Sequence, residues 1–564
     1  MNLKNQLYSL YAVAIAACLI LGFLPLGRWQ LFDAGHSSWN LHLLQTALLL
    51  AALSLTVYMV IAMRNDNVDS TEKFLFHLVV GLLIVHSSLV MMQFWKMLTH
   101  QTPDTWSEQV IFLTAAQSDG LSGLYSMSKL SSPPFTTATY GPVFYSVLKV
   151  LFLFLGKSTV VGRYLSVASV LTIAVLLYSI MQSYKKSSWS MIVPLLFLST
   201  FPILAWRGSL AKPEFLAACL SLGGLYVYIS RGLIVRKNWL FWSATLCGLA
   251  LLTKVSAFGG FAAISVHLFM EKRYKECIGF ISLVCFLFLG VYAALWRPTE
   301  GGIWFMTITA NALKFNPYKI VKFGIELYLT STLVVLSIAA STVLIAMRKR
   351  GNAIAMVGSF YFLISLCWFM IAIGRLGSSY NYFIEAAVGG SVVIGILLME
   401  YNSLKELASI RFLLVIIGIS MFTHLVPQIG MTTRQYDDGK ERTEIVNILS
   451  DLKTVSGEYV LSDDYYCMDV IQAGHHPLII AGLQYTAMSD RGIVSTEPLI
   501  EVIRNKKVPY VVLENTLAWH SSLPYGERLW PANVLDYLEQ NYTCTTVKKG
   551  RFDERYLVIC ERAR

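Results

Sequence analysis

The sequence predicts an α-helical polytopic membrane protein with a C-terminal extracytoplasmic α/β domain, and three observations carry that expectation. Apolar runs recur from the N-terminus to about residue 430, and about twenty residues is the length that crosses a hydrocarbon core. Only 14% of the 564 residues are charged against 55% hydrophobic, where a soluble chain carries roughly a quarter charged. After Gly430 the composition turns polar and the apolar runs shorten to strand length.

The runs place about thirteen spans, over residues 8–27, 41–63, 75–97, 158–182, 188–206, 215–230, 239–254, 256–270, 277–296, 326–347, 353–373, 382–399 and 412–429. The first run, Leu10 to Leu26, lacks a convincing small-residue cleavage site and a second follows soon after, so it reads as a retained span. Segment 141–156 is left out, because it is about sixteen residues long, opens at a Tyr140-Gly-Pro turn and carries Lys149. Charge then sets the orientation. With 141–156 lying in the interface, Lys4, Lys185-Lys186, Arg236-Lys237, Lys272-Arg273 and Arg348-Lys349-Arg350 all fall on one side. Counting 141–156 as a span would move the later clusters outside, against the positive-inside rule. The N-terminus is therefore expected in the cytoplasm of a cell with the chain in its inner (plasma) membrane. The outer loop 98–157, the turn Trp206 to Glu214 and the tail 431–564 face the exterior, so residues 1–430 form the membrane domain and 431–564 the outer domain. The net charge of +11 is scattered in loop clusters, which is a membrane-orienting pattern and not a nucleic-acid face.

Within the tail, Glu441 to Leu452 and Pro498 to Arg504 have helical spacing, and Glu458 to Ser462 and Val508 to Leu513 read as strands. Two further strands flank the turn-like Lys548-Lys-Gly-Arg-Phe-Asp553 and suggest a hairpin. Six of the nine cysteines (Cys18, Cys219, Cys247, Cys277, Cys285, Cys367) lie in apolar runs, where they act as small hydrophobes. Cys467, Cys544 and Cys560 lie in the tail, and sequence leaves open whether Cys544 and Cys560 bridge or stay as thiols.

Charged groups held against a bilayer on one face are the first candidates for function. Glu108 heads an apolar-periodic stretch, where an acid also serves simply as a cap. Glu214 opens a span directly after Pro213, again ordinary helix-start grammar. Lys254 ends a span, Arg163 lies at the outer end of another, and Arg375 begins a late outer loop. An arginine fork is a natural ligand for a phosphate. The stretch from Pro133 through the amphipathic 143–152 suits a segment in the interface plane or a plain apolar linker.

These residues, in this order, resemble the GT-C superfamily of integral-membrane glycosyltransferases, nearest the branch of protein O-mannosyltransferases and lipid A aminoarabinose transferases. Tyr140-Gly-Pro142-Val-Phe-Tyr145 is similar to that family's Tyr-Pro-Pro-Leu-type motif, and Val161-Gly-Arg163-Tyr-Leu-Ser166 to its Ala-Arg-Leu-Pro-Ser motif. Lys212-Pro-Glu214 stands where the second-loop acid is found. Leu251-Leu-Thr-Lys254 resembles the Leu-Thr-Lys-Gly element, and Asn381-Tyr382-Phe-Ile-Glu385 a late outer-loop motif. The resemblance covers residues 75–400. Ser107 precedes Glu108 where the family often has a second acid, so a divalent metal, the one cofactor the resemblance admits, would find a single carboxylate there.

The resemblance implies an inverting transfer of a sugar from a polyprenyl-phosphate donor to a glycan, lipid or protein acceptor outside the membrane. Such a transfer needs one base for the acceptor hydroxyl and cations for the leaving phosphate. Glu108 is the expected base, with Glu214 orienting the acceptor or sharing the catalytic site. Arg163, Lys254 and Arg375 are expected on the donor phosphate, and Tyr140, Pro142, Tyr145, Asn381 and Tyr382 along the substrate groove. The rival readings are a transporter, an O-antigen ligase or polymerase, and a non-catalytic scaffold. A transporter would place ionisable groups at mid-bilayer in repeated halves, and a ligase is expected to carry a large late loop rich in Arg and His. Neither pattern is seen.

Overall fold

The structure is a computed structural model describing residues 68–100, 105–199, 208–233, 238–330, 332–346, 353–375, 378–400, 438–523, 529–549 and 556–563. The expected spans 8–27, 41–63 and 412–429, and the expected domain boundary at 430, lie outside the described residues.

The chain enters as a long helix, α1 (Val68–Thr99), followed by α2 (Trp106–Ala116), a short strand β1 (Phe135–Thr136) and α3 (Pro142–Leu155). The bundle continues with α4 (Thr159–Tyr184), α5 (Ile192–Ser199), α6 (Glu214–Val227), α7 (Trp239–Thr253), α8 (Gly259–Met270) and α9 (Tyr274–Trp296). It closes with α10 (Pro317–Thr330), α11 (Thr332–Ala346), α12 (Ala353–Ala372) and α13 (Ile384–Glu400). A single apolar core that includes Phe94, Val170, Phe215, Phe280, Tyr361 and Val392 joins most of these helices. Among the described residues, six helices are long and apolar enough to cross a membrane. They match the expected spans 75–97, 158–182, 215–230, 277–296, 353–373 and 382–399.

The other expected spans differ in an informative way. Helices α7 and α8 have 15 and 12 residues, which at 1.5 Å per residue reach only about 22 and 18 Å. A hydrocarbon core is about 30 Å thick. The turn 254–258 between them is covered by protein, with Lys254 and Ala257 buried. The expected span 326–347 is divided between α10 and α11, and Tyr318, Val321 and Ile325 of α10 stand exposed along one side of that helix.

Segment 141–156, excluded from the spans, forms α3, a single 14-residue helix. Proline at its first turn costs no hydrogen bond, and Phe144, Tyr145, Leu148 and Phe152 make its buried face. Leu153, Phe154 and Leu155 are exposed at its end. Lys149 is accommodated because its ammonium donates to the Ser118 carbonyl, while Lys157 donates to Ala116 O at 2.9 Å. Both lysines cap the C-terminal end of α2, which is where cations are favoured.

The C-terminal region comprises α14 (Asp438–Ser450), β2 (Val460–Ser462), α15 (Cys467–Gln472), β3 (Ile479–Ile480), α16 (Gly482–Ser489) and α17 (Glu497–Arg504). It ends with β4 (Tyr510–Leu513), α18 (Leu517–Ser522), α19 (Ala532–Asn541) and the hairpin β5 (Tyr542–Lys549) and β6 (Tyr556–Arg562). A four-stranded sheet runs β2-β4-β6-β5, parallel between β2 and β4 and antiparallel elsewhere. The register sets Cys544 opposite Cys560 and the two form a disulfide, which answers the question the sequence left open. Asp464, at the end of β2, accepts from Gly482 N at 2.6 Å and Leu483 N at 3.3 Å, and burial lifts its carboxyl to about 6.

This region is not separate from the stretch between α1 and α4. β1 pairs in parallel with β3, and a second apolar core takes Leu113, Phe144 and Ile303 from the membrane part together with Cys467, Ile480 and Met488. A two-residue strand has no periodicity to read, so the sequence did not reveal this joint.

Close backbone packing at the start of α3 gives the first testable consequence. A Cβ added at Gly141 would lie 2.0 Å from Leu252 O, whereas one at Gly123 meets nothing within 4 Å. Gly141→Ala is expected to destabilise by about 1–3 kcal/mol, seen as a lower unfolding temperature of the purified chain, with Gly123→Ala close to wild type. Equal unfolding temperatures for the two variants would contradict this packing.

Candidate active site

Helix α2 begins at Thr105, whose hydroxyl accepts from Glu108 N at 3.2 Å. Glu108 thus lies in a capped first turn, while its carboxylate turns into the bundle. Arg163 of α4 grips it with two bonds, Nε to Oε1 at 2.8 Å and Nη2 to Oε2 at 2.7 Å. Ala211 N adds a third bond to Oε1 at 2.8 Å. The remaining nitrogen of Arg163 donates to Met97 O at 2.8 Å and His100 O at 2.5 Å. Both side chains are 0% exposed.

This geometry bears on two expectations. Glu108 was expected to meet the acceptor hydroxyl and Arg163 the donor phosphate. A base must come within hydrogen-bond reach of the proton it takes, and the Glu108 carboxylate is enclosed by Arg163 and Ala211. Arg163 spends its guanidinium on Glu108 and on two carbonyls. Each group was legible alone; that they are each other's partners was not.

The other named residues converge. Glu214 opens α6 and is 5% exposed. Its Oε1 accepts from Lys254 Nζ at 3.1 Å and from Asn381 Nδ2 at 2.7 Å, while its buried Oε2 has no hydrogen bond. Lys254 reaches it from the turn after α7, and its ammonium also lies 4.4 Å from the centre of the Tyr382 ring. The Arg375 guanidinium lies 5.3 Å from the centre of the same ring and bonds the Tyr382 hydroxyl. Tyr382 is thus flanked by both cations, as an aromatic face favours. Five expected residues, Glu214, Lys254, Arg375, Asn381 and Tyr382, form one cluster.

The remaining groove residues are divided. Tyr140 is half-buried, within electrostatic reach of Arg375, and its carbonyl accepts from the Tyr125 hydroxyl at 2.6 Å. Gly141 N, beside it, donates to Thr253 O at 3.1 Å and so holds this stretch against the Lys254 turn. Pro142 and Tyr145 are buried in the packing of α3, Tyr145 edge-on to Tyr125. They shape the wall from behind and do not line a groove, because α3 turns this face inward.

Three residues carry weight that sequence reasoning did not assign. Asn311 donates to Thr139 O at 2.8 Å and its own carbonyl accepts from Arg375 at 2.8 Å, which holds the cation in place. Glu385, quoted in the late motif without a role, approaches Gly259 N at 3.4 Å and the Tyr361 hydroxyl at 3.5 Å. Gln109, next to Glu108 on α2, bonds the C-terminal region through Tyr465 O and Met468 N. A lone amide or acid in an apolar stretch gave no signal for any of these roles. Among the described residues, no three His, Cys, Asp or Glu side chains converge as metal ligands, and the acids at the cluster are held by cations and amides instead.

No family model and no curated protein matches the sequence. Solved structures do match its shape. ArnT from Cupriavidus metallidurans in the apo state is 10% identical, with a TM-score of 0.55 over 85% of this chain and 98% of its own. The same protein bound to undecaprenyl phosphate gives 11% identity over the same shares of both chains. The archaeal oligosaccharyltransferase AglB from Archaeoglobus fulgidus, in complex with an inhibitory peptide and a dolichol-phosphate, is 11% identical with a TM-score of 0.53, over 83% of this chain and 72% of its own. The likeness is one of fold, and this chain has the GT-C fold of membrane glycosyltransferases.

Proposed function

We propose that this chain is an inverting glycosyltransferase that takes a sugar from a polyprenyl-phosphate-linked donor at the outer face of the membrane. The observation that carries the reading is the Glu214 carboxylate, oriented through Oε1 by Lys254 and Asn381 with Oε2 left without a hydrogen bond, beside Arg375. The fold shared with a protein captured with undecaprenyl phosphate supports the lipid class of the donor.

In this reading Glu214 Oε2 accepts the proton of the acceptor hydroxyl. The freed oxygen bonds the anomeric carbon from the face opposite the phosphate, and the carbon–oxygen bond to the phosphate breaks. Its electron pair leaves with the polyprenyl phosphate, so the anomeric centre inverts. Lys254 and Arg375 oppose the charge that grows on that phosphate, and they act strongly because the site is buried. Asn381 fixes the rotamer of Glu214, and Tyr382 spaces the cations. Glu108 and Arg163 hold Ala211 and the loop that delivers Glu214. The exposed end of α3 faces the lipid. The domain division at 430 and an extracytoplasmic tail remain part of the proposal, and no metal step is used. A transporter reading is not favoured, since the charges gather in one paired cluster near one end of the bundle.

Glu214→Gln is expected to lower sugar transfer in membranes by about 10²–10⁴-fold while the chain remains folded. Transfer within a few fold of wild type would remove Glu214 from the role of base. Glu108→Gln has a different expected signature. It leaves the buried Arg163 charge without its counter-ion, at a cost of about 3–5 kcal/mol. Its unfolding temperature should drop clearly below that of Glu214→Gln, and thermal scans of the two purified variants compare them directly. A Glu108→Gln chain as stable as wild type but inactive would return the base to Glu108.

A further inference from the structure

We infer that Gln109 is a positioning residue through which the C-terminal domain holds the candidate active site in its working geometry. As it concerns catalysis, this rests on the sugar-transfer reading above. Gln109 is 0% exposed and makes two bonds to one short stretch of the C-terminal region. Its Nε2 donates to Tyr465 O at 2.7 Å, and its Oε1 accepts from Met468 N at 3.2 Å. The side-chain amide therefore acts as a peptide group would between β2 and α15, offering one donor and one acceptor to buried backbone.

The stretch it binds is itself fixed. Tyr465 O also accepts from Arg442 at 3.0 Å, Arg442 pairs with Asp469, and its guanidinium lies 4.2 Å from the centre of the Tyr465 ring. On α2, the neighbouring side chain Glu108 bonds Arg163 and Ala211 N. Three residues beyond Ala211 stands Glu214. Ser166 bonds the same connection, its hydroxyl accepting from Lys212 N at 3.3 Å. One turn of α2 thus joins the domain to the loop carrying Glu214. Few side chains can do this at position 109. Glutamate has no donor for Tyr465 O, and methionine has neither partner.

The test uses the full chain in lipid nanodiscs, with Gln109→Met, Gln109→Glu and, as control, Lys548→Ala, which removes only the exposed pair with Glu444. Amide hydrogen exchange is read at Tyr465 to Met468, at Ala211 and in β4, and binding of undecaprenyl phosphate alone is measured in parallel. Both Gln109 variants are expected to exchange about tenfold faster at Ala211 and to bind the lipid about tenfold more weakly. Exchange in β4 should stay slow, and the control should match wild type. Gln109→Glu keeps the shape of the side chain and serves if Gln109→Met does not fold. Faster exchange at Tyr465 to Met468 with Ala211 and lipid binding unchanged would reduce Gln109 to a local contact and overturn the inference. A wild-type chain that fails to bind the lipid would count against the donor reading alone, since exchange at Ala211 reports the coupling without any lipid.

Discussion

The Glu108–Arg163 pair joins stretches of chain that lie far apart in sequence, and its burial is what gives it force. An isolated ion in an apolar interior costs several kcal/mol even after relaxation. Here the carboxylate receives two guanidinium bonds and one backbone N–H, and the guanidinium finds two more carbonyls. The net stabilisation of such a pair is small; the cost of breaking it is large. Every element that contributes a bond is therefore held in register with the others. That includes the end of α1, the first turn of α2, α4 and the loop that delivers Glu214.

The second pair, Glu214 with Lys254, obeys the same constraint at a different depth. The Lys254 turn joins the short helices α7 and α8, and Lys254 is buried there. A cation there needs a partner, and Glu214 and the Tyr382 ring supply it. The same burial makes the cluster strong toward a charged ligand, since electrostatic interactions grow as the local dielectric falls.

Much of this was legible in the sequence because composition reports burial directly. Twenty-residue apolar runs gave the long helices, and alternating short runs gave β2, β4 and the hairpin. Glu214, Lys254 and Arg375 were named because each is a charged group at the end of an apolar run, Asn381 and Tyr382 because they stand in a motif similar to the family's. Partnership was not legible, because which acid meets which base depends on the fold and not on spacing. Arg163 and Lys254 look alike as isolated cations, yet one is sealed around Glu108 and the other stands beside a carboxylate oxygen without a hydrogen bond. Helix length was equally hidden: the run 239–270 reads as two spans, because hydropathy measures composition and not length between surfaces. Gln109 had no signature, since its role comes from backbone groups more than 350 positions away.

The long stretch between α1 and α4 explains why those distant groups are needed. Between α1 and α4 the chain has only short helices and a two-residue strand, too little to bury a core of its own. Ordering each residue costs about 1–2 kcal/mol of backbone entropy, and the loop must recover that cost from a partner. The C-terminal region provides one, through the β1–β3 pairing, the shared core around Leu113 and Cys467, and the amide of Gln109. The loop in turn presents Glu108 to Arg163. Order in the loop and docking of the C-terminal region are therefore one event, and the geometry around Glu214 depends on both.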